Sequence, residues 1–380
     1  MEISWQAELE RAARETGLND FGGEGFHAGL KTFAEAINRD PKMSPEVKER
    51  TRGMINGTLV KRLNLYRDRR QNPEIAAQKI EKPLIVIGMP RSGTTFLLAL
   101  LAQDPRARSP LSWEVQTPSP PPRAETEHTD PRIAECQARM DLLPIEFQRM
   151  HLSGAMLPEE CNAITALAFQ SSNLSAGNDI PGYVEWYLSA NDADPYQFHT
   201  HFLQHLQAFT PKQWWVLKSP PHMFHMARLL ETYPDARIVW PHRDPAATLP
   251  SLASLIAHIR SGNYEHVDHP SVGREMATYW RTAFQRAMAA RAREPDDSRF
   301  VDVHYELMIS QPLAAVQKVY DHFGIPFTDE ARTAMQTFLD EKPKDKLGAH
   351  RYTLEEFGLD KDKVHEEYAD YLSRYGVALV

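Results

Sequence analysis

Short apolar runs recur along the chain at Leu84-Ile-Val-Ile87, Trp214-Trp-Val-Leu217, Arg237-Ile-Val-Trp240 and Phe300-Val-Asp-Val-His304. Uninterrupted runs of this length fit strands buried on both faces, rather than the in-out alternation of a half-exposed sheet. Helical patterns lie between them: the apolar positions of Phe96 to Leu101, a short helix from about His222 to Tyr233, and longer stretches further on. Strands that alternate with helices predict a parallel sheet covered on both faces, an α/β three-layer architecture. Ser112-Trp-Glu-Val115 reads as a further strand-like piece, followed by the loop Thr117-Pro-Ser-Pro-Pro-Pro122. From Asp130 to Phe209 the pattern is mainly helical, broken at Pro144, Pro158 and Pro181-Gly182. So long a helical stretch between core strands predicts an insertion, at about 125–210, able to roof a pocket.

Residues 1–80 precede the first strand and read as a helical extension packed on the core of 81–380, with a glycine-rich turn at Phe21-Gly-Gly-Glu-Gly25. Ser44-Pro45-Glu46 starts a helix: a serine cap, a proline suited to the first turn and an acid matched to the dipole. That helix is expected to reach about Arg70, and its basic end, Lys61-Arg62 and Arg67 to Arg70, reads as a solvated face. The tail from Gln311 is helical, with a polar break from Lys342 to Tyr352.

The stretch Gly88-Met-Pro-Arg91-Ser92-Gly93-Thr94-Thr95, set between the first strand and its helix, carries the chemistry. Its glycines permit a tight turn, and the amides of Ser92 to Thr95 open a helix whose N–H groups and dipole attract an anion. Gly88 and Gly93 have the spacing of a Walker A loop, but Thr94 stands where that motif places lysine. Nucleotide hydrolases use that lysine on the β- and γ-phosphates, so the loop is expected to hold a shorter phosphate chain, with Arg91 supplying charge.

Ligands of an open parallel sheet sit at the carboxyl ends of its strands. Lys218-Ser219-Pro, His242-Arg243-Asp244-Pro245 and Tyr305-Glu306 follow their strands in that way. Alone, Arg-Asp-Pro is a strand-end salt bridge and helix start. Beside the loop, Arg243 and Ser251, about two turns into the next helix, predict a second anion subsite. Two separated phosphates and no triphosphate fit these residues.

Length and charge narrow the class further. The 380 residues, 42% hydrophobic, are enough for a full core. A formal charge of −8 argues against a nucleic-acid partner. No run approaches the ~20 apolar residues of a membrane span, and Met1-Glu-Ile-Ser-Trp-Gln has no signal-peptide pattern, so the expected location is the cytoplasm. Cys136 and Cys161 lack metal-site spacing and cannot build a disulfide framework, in keeping with a reducing compartment. His201 and His205, one helical turn apart, read as an ordinary helix face, and no acidic pair has magnesium-site spacing. No metal is expected.

Together these motifs resemble the sulfotransferases that use 3′-phosphoadenosine-5′-phosphosulfate (PAPS). Gly88-Met-Pro-Arg-Ser-Gly-Thr-Thr95 is similar to their 5′-phosphosulfate loop, in the arginine form also found in tyrosylprotein sulfotransferases. Arg237-Ile-Val-Trp-Pro-His-Arg243-Asp-Pro…Ser251 is similar to their 3′-phosphate motif. Trp215-Val-Leu-Lys218-Ser-Pro-Pro-His222 and Val303-His-Tyr305-Glu-Leu look like segments of a bacterial branch. The resemblance runs from about Pro83 to Tyr352 and implies a P-loop-like fold, PAPS as co-substrate and in-line transfer to a hydroxyl. It implies donor contacts from Arg91, Ser92, Gly93, Thr94, Thr95, Arg243, Ser251 and Tyr305. Arg91 replaces the lysine of the cytosolic aryl and steroid enzymes. Their C-terminal Arg-Lys-Gly segment has only a loose substitute here, in Lys346, His350 and Arg351.

Arg91 and Lys218 are expected to stabilise the leaving phosphate. Glu114 stands where arginine-loop members carry a glutamate and is the expected general base, with His222 as its rival. Pro158-Glu159-Glu160 is expected at the acceptor pocket. Aromatic, Met and Leu residues of the insertion suit a small apolar or lipid-like hydroxyl acceptor. The competing readings are a P-loop kinase of nucleotides or small molecules, and a non-catalytic nucleotide sensor.

Overall fold

The computed structural model describes residues 2–145, 153–341 and 352–380. Five parallel strands, β1 (Leu84–Val86), β2 (Ala107–Arg108), β3 (Trp214–Lys218), β4 (Arg237–His242) and β5 (Phe300–His304), form one sheet in the order β2-β3-β1-β4-β5. β1 is central: Leu84 is in register with Val216 of β3 on one side and with Arg237 of β4 on the other. Its carboxyl end opens where the chain leaves for opposite halves of the sheet, the usual place for a ligand.

The period of two along each strand sorts the apolar residues between two cores. Leu84, Val86, Val216, Val239, Val301 and Val303 face one core, closed by Leu97, Leu98 and Leu101 of the helix Thr94–Leu101 and by Val316 and Val319 of the helix Pro312–His322. Ile85, Leu217, Ile238 and Trp240 face the other, covered by helices Ala193–Gln207, Pro245–Ser261 and His269–Arg291 and by C-terminal Tyr368 and Tyr371. The three-layer α/β expectation therefore holds, with a helical insertion between β2 and β3.

Two local expectations are corrected. Ser112–Gln116 is a helix, and the strand lies upstream at Ala107–Arg108. The Glu114 carboxylate accepts the Leu111 N–H at 2.9 Å, so an acid in the first turn satisfies an orphan donor and this local bond outweighs the apolar tendency of the segment. Arg62 is not on a solvated face: it is 1% exposed. It donates to the carbonyls of Phe21 and Leu167, and its guanidinium lies 4.1 Å from the Phe26 ring centre and 4.4 Å from that of Phe198. Aromatic faces and backbone oxygens accept a weakly hydrated, delocalised cation that they could not accept from lysine.

The Ser44 hydroxyl caps the helix Pro45–Gln71 by accepting from the Val47 N–H at 3.3 Å. The N-terminal helices bury Leu30, Phe33, Ile37, Leu59 and Leu63 against Phe169, Tyr183 and Tyr187 of the insertion. At the other end of the chain, the Val380 N–H and His365 both reach the Asp244 carboxylate, at 2.9 and 3.0 Å. The C-terminal segment thus braces the turn after β4.

Candidate active site

The loop after β1 bends through three left-handed residues: Gly88 (φ 112°), Arg91 (φ 70°) and Gly93 (φ 88°). A Cβ on Gly88 would lie 3.0 Å from the Pro241 carbonyl of β4, so both its dihedral and its space call for glycine. The Ser92 hydroxyl and N–H both donate to the Met89 carbonyl, at 2.6 and 3.2 Å, and hold the turn from within, while Gly93, Thr94 and Thr95 line a cavity.

Arg91 is gripped from the second motif. Its Nε donates to Ser251 Oγ at 3.0 Å, and its carbonyl accepts from Arg243 at 2.7 Å. The Arg243 guanidinium stands 3.9 Å over the Tyr305 ring. Two motifs some 150 residues apart thus meet as one cationic wall. Burial, and next to it the Arg243 charge, push the Arg91 pKa down. An anion beside the pair relieves both costs.

Lys218 at the end of β3 completes the site. Its ammonium, almost wholly buried, pairs with the Glu160 carboxylate and donates to Thr95 Oγ1 at 3.1 Å. The neighbouring Glu159 carboxylate accepts the Ser112 hydroxyl at 3.2 Å and the Glu160 N–H at 2.9 Å. Arg91, Gly93, Thr94, Thr95, Lys218, Glu159, Glu160, Arg243, Ser251 and Tyr305 line one cavity of about 890 Å³. Its walls also carry apolar side chains, Val184 of the insertion, Leu252 and Ile256 of the helix Pro245–Ser261, and Met276 and Trp280 of the helix His269–Arg291, beside polar Asn162, Ser172, Asn173 and Ser175. Arg260 and Glu275, which also line it, form a two-bond ion pair at 2.6 and 2.7 Å.

Neither expected base lies on this cavity. Glu114 is 2% exposed; one oxygen pairs with Arg108 at 2.9 Å and the other caps Leu111, so the carboxylate neutralises a buried arginine. His222 is 3% exposed, its Nδ1 is 2.7 Å from the Tyr196 hydroxyl, and burial drives its pKa well down. It faces a separate small cavity. The carboxylate that does reach the cavity beside Lys218 is Glu160, expected from sequence only as pocket lining. Tyr352 also lines the cavity, and nothing in its sequence setting marked it. Lys346, His350 and Arg351 lie outside the described residues. His201 contacts the Tyr66 hydroxyl at 3.1 Å and His205 the Pro118 carbonyl at 2.9 Å, so each has its own partner.

The fold is that of a P-loop-like α/β protein, with basic side chains gathered at the phosphate loop. The model of the sulfotransferase family matches residues 83–329, well over half the chain. Over 98% of its length the chain is similar to the crystal structure of sulfotransferase STF9 from Mycobacterium avium, at 31% identity and a TM-score of 0.90, covering 97% of that chain. Sulfotransferase STF1 from Mycobacterium tuberculosis matches at 29% identity and a TM-score of 0.85, over 97% of this chain and 99% of that one. The omega-hydroxy-beta-dihydromenaquinone-9 sulfotransferase of Mycobacterium bovis is 23% identical over 314 residues, 78% of this chain and 75% of its own. The chain belongs to the sulfotransferase family and is a sulfotransferase, which sets aside the kinase and sensor readings. Among the described residues no helix is long and apolar enough to cross a membrane.

Proposed function

We propose that the enzyme moves a sulfuryl group from PAPS to the hydroxyl of a lipid-like acceptor by in-line displacement. The observation that carries this reading is that one cavity gathers Arg91, Arg243 and the Lys218–Glu160 pair at the phosphate loop together with an apolar wall of Val184, Leu252, Ile256, Met276 and Trp280. The donor brings the sulfuryl group and a 5′-phosphate leaving group. Its phosphates fit the loop amides with Arg91 on one side and the Arg243–Ser251 pair on the other. Arg91 and Lys218 counter the charge that grows on the leaving phosphate, without a divalent ion. Engagement of Lys218 by that charge loosens its hold on Glu160, which then accepts the hydroxyl proton of the acceptor. Glu160 replaces Glu114 in this role. The apolar wall agrees with relatives named for an omega-hydroxylated dihydromenaquinone.

Calorimetry tests the donor. 3′-Phosphoadenosine-5′-phosphate is expected to bind at least tenfold more tightly than ADP, because charge-assisted bonds to a 3′-phosphate contribute roughly 1.5–3 kcal/mol each. EDTA is expected to change nothing. Equal affinities, or a requirement for magnesium, reject the assignment. In turnover assays, long-chain alcohols should outperform sugars of similar size.

A further inference from the structure

Next to Glu160 in sequence, Cys161 belongs to a second cluster, which plays no part in the chemistry above. Cys161 Sγ and one ring nitrogen from each of His199 and His222 all lie within 4.8 Å of one another, and all three residues are buried. They come from three segments: Cys161 opens the helix Cys161–Ala166, His199 lies in the helix Ala193–Gln207, and His222 lies in the turn Pro220–His225. Both imidazoles are anchored at Nδ1 by a tyrosine hydroxyl, His199 by Tyr233 at 2.6 Å and His222 by Tyr196 at 2.7 Å. Both Nε2 atoms are buried without a hydrogen-bond partner. Native interiors seldom tolerate such orphans without a reason. An Nδ1–H donated to an oxygen partner, leaving the Nε2 lone pair facing a thiol, is the arrangement that metal-binding histidines adopt.

We propose that Cys161, His199 and His222 form a binding site for one thiophilic closed-shell cation, Zn(II) or Cu(I). Imidazole and thiolate are the ligands such ions prefer, and no carboxylate belongs to the cluster to favour magnesium or calcium. At metal–ligand lengths of about 2.0–2.3 Å, the three donors need to close by about 1 Å, within reach of small side-chain rotations. Burial keeps the thiol protonated, its pKa pushed up to about 12. Binding therefore exchanges the S–H bond for an S–metal bond and releases one proton to solvent. Because Cys161 follows Glu160 and His222 lies four residues past Lys218, the cation ties together the two segments that carry the catalytic ion pair.

The test uses the full-length protein, stripped with a chelator and then titrated without oxygen with Zn(II), Cu(I) and, as a spectroscopic probe, Co(II). One Zn(II) or Cu(I) per chain is expected, with a rise in melting temperature and, for Co(II), a thiolate-to-metal charge-transfer band. Cys161→Ala should abolish the band and weaken binding at least about 100-fold. Cys136→Ala, in a different buried cluster, should change neither. Should Cys161→Ala not fold, His199→Gln serves in its place, and the wild-type stoichiometry and band stand as the test. Folded wild-type protein that binds neither cation, binding without the thiolate band, or a Cys161→Ala protein that binds normally overturns the proposal.

Discussion

At the scale of single residues, two glutamates that look alike in sequence have opposite surroundings. Glu160 faces the cavity and the Lys218 ammonium; Glu114 is enclosed with Arg108. Glu160→Gln is expected to cut turnover by about 10²–10⁴-fold, the range for a positioned base, while 3′-phosphoadenosine-5′-phosphate binds as before or more tightly because Lys218 is released. Glu114→Gln leaves the Arg108 charge buried without its counter-charge. It should appear as lost stability, up to about 3–5 kcal/mol, with turnover per folded molecule nearly unchanged. Single-turnover rates and urea melts on both variants decide the matter, and the opposite pattern would restore Glu114 as the base. Sequence could not separate the two, because the distinction depends on Arg108, six residues away, turning inward to accept a partner. Lys218 was legible because it ends a buried strand whose neighbour carries the phosphate loop.

At the scale of elements, legibility followed chain locality. The loop, its helix and the carboxyl ends of β3, β4 and β5 could be read because each is a short segment with its own chemical signature. The helix at Ser112–Gln116 could not, since one side-chain-to-backbone bond decided it. Nor could the Cys161 cluster, whose members lie in three separate segments and show no ligand spacing along the chain. The loop itself allows a prediction at this scale. Gly88→Ala forces a side chain into a left-handed dihedral and against the β4 backbone, a strain of order 1–3 kcal/mol. The loop can relieve it by moving, so the affinity for 3′-phosphoadenosine-5′-phosphate should fall at least tenfold while the melting temperature drops only a few degrees. Calorimetry alongside thermal melts checks this, and unchanged affinity would mean that the amide cradle does not depend on this turn.

Across the whole molecule, the site is held by charges that clamp distant segments to the carboxyl edge of the sheet. Asp302 on β5 accepts from His242 on β4 at 2.8 Å and from Arg291 at 2.7 Å, while Tyr371 of the C-terminal region meets the other side of His242 at 3.2 Å. Burial alone would raise the Asp302 pKa, yet the bonds from His242 and Arg291 hold it well below the usual carboxylate range. Burial also lowers the His242 pKa, so near neutrality His242 contributes a hydrogen bond and Arg291 the charge. A carboxylate whose pKa is depressed by folding stabilises the native state above its unfolded value, about 3.9, and loses that contribution as pH falls through the folded value. Asp302→Asn should therefore cost about 1–3 kcal/mol at pH 7, discounted for a carboxylate that is one-third exposed. The gap between variant and wild type should close as the pH drops below about 4. Urea melts across that window measure it directly. A gap that stays constant with pH would show that packing around the β4–β5 edge, rather than the ionised carboxylate, holds the second anion motif in place.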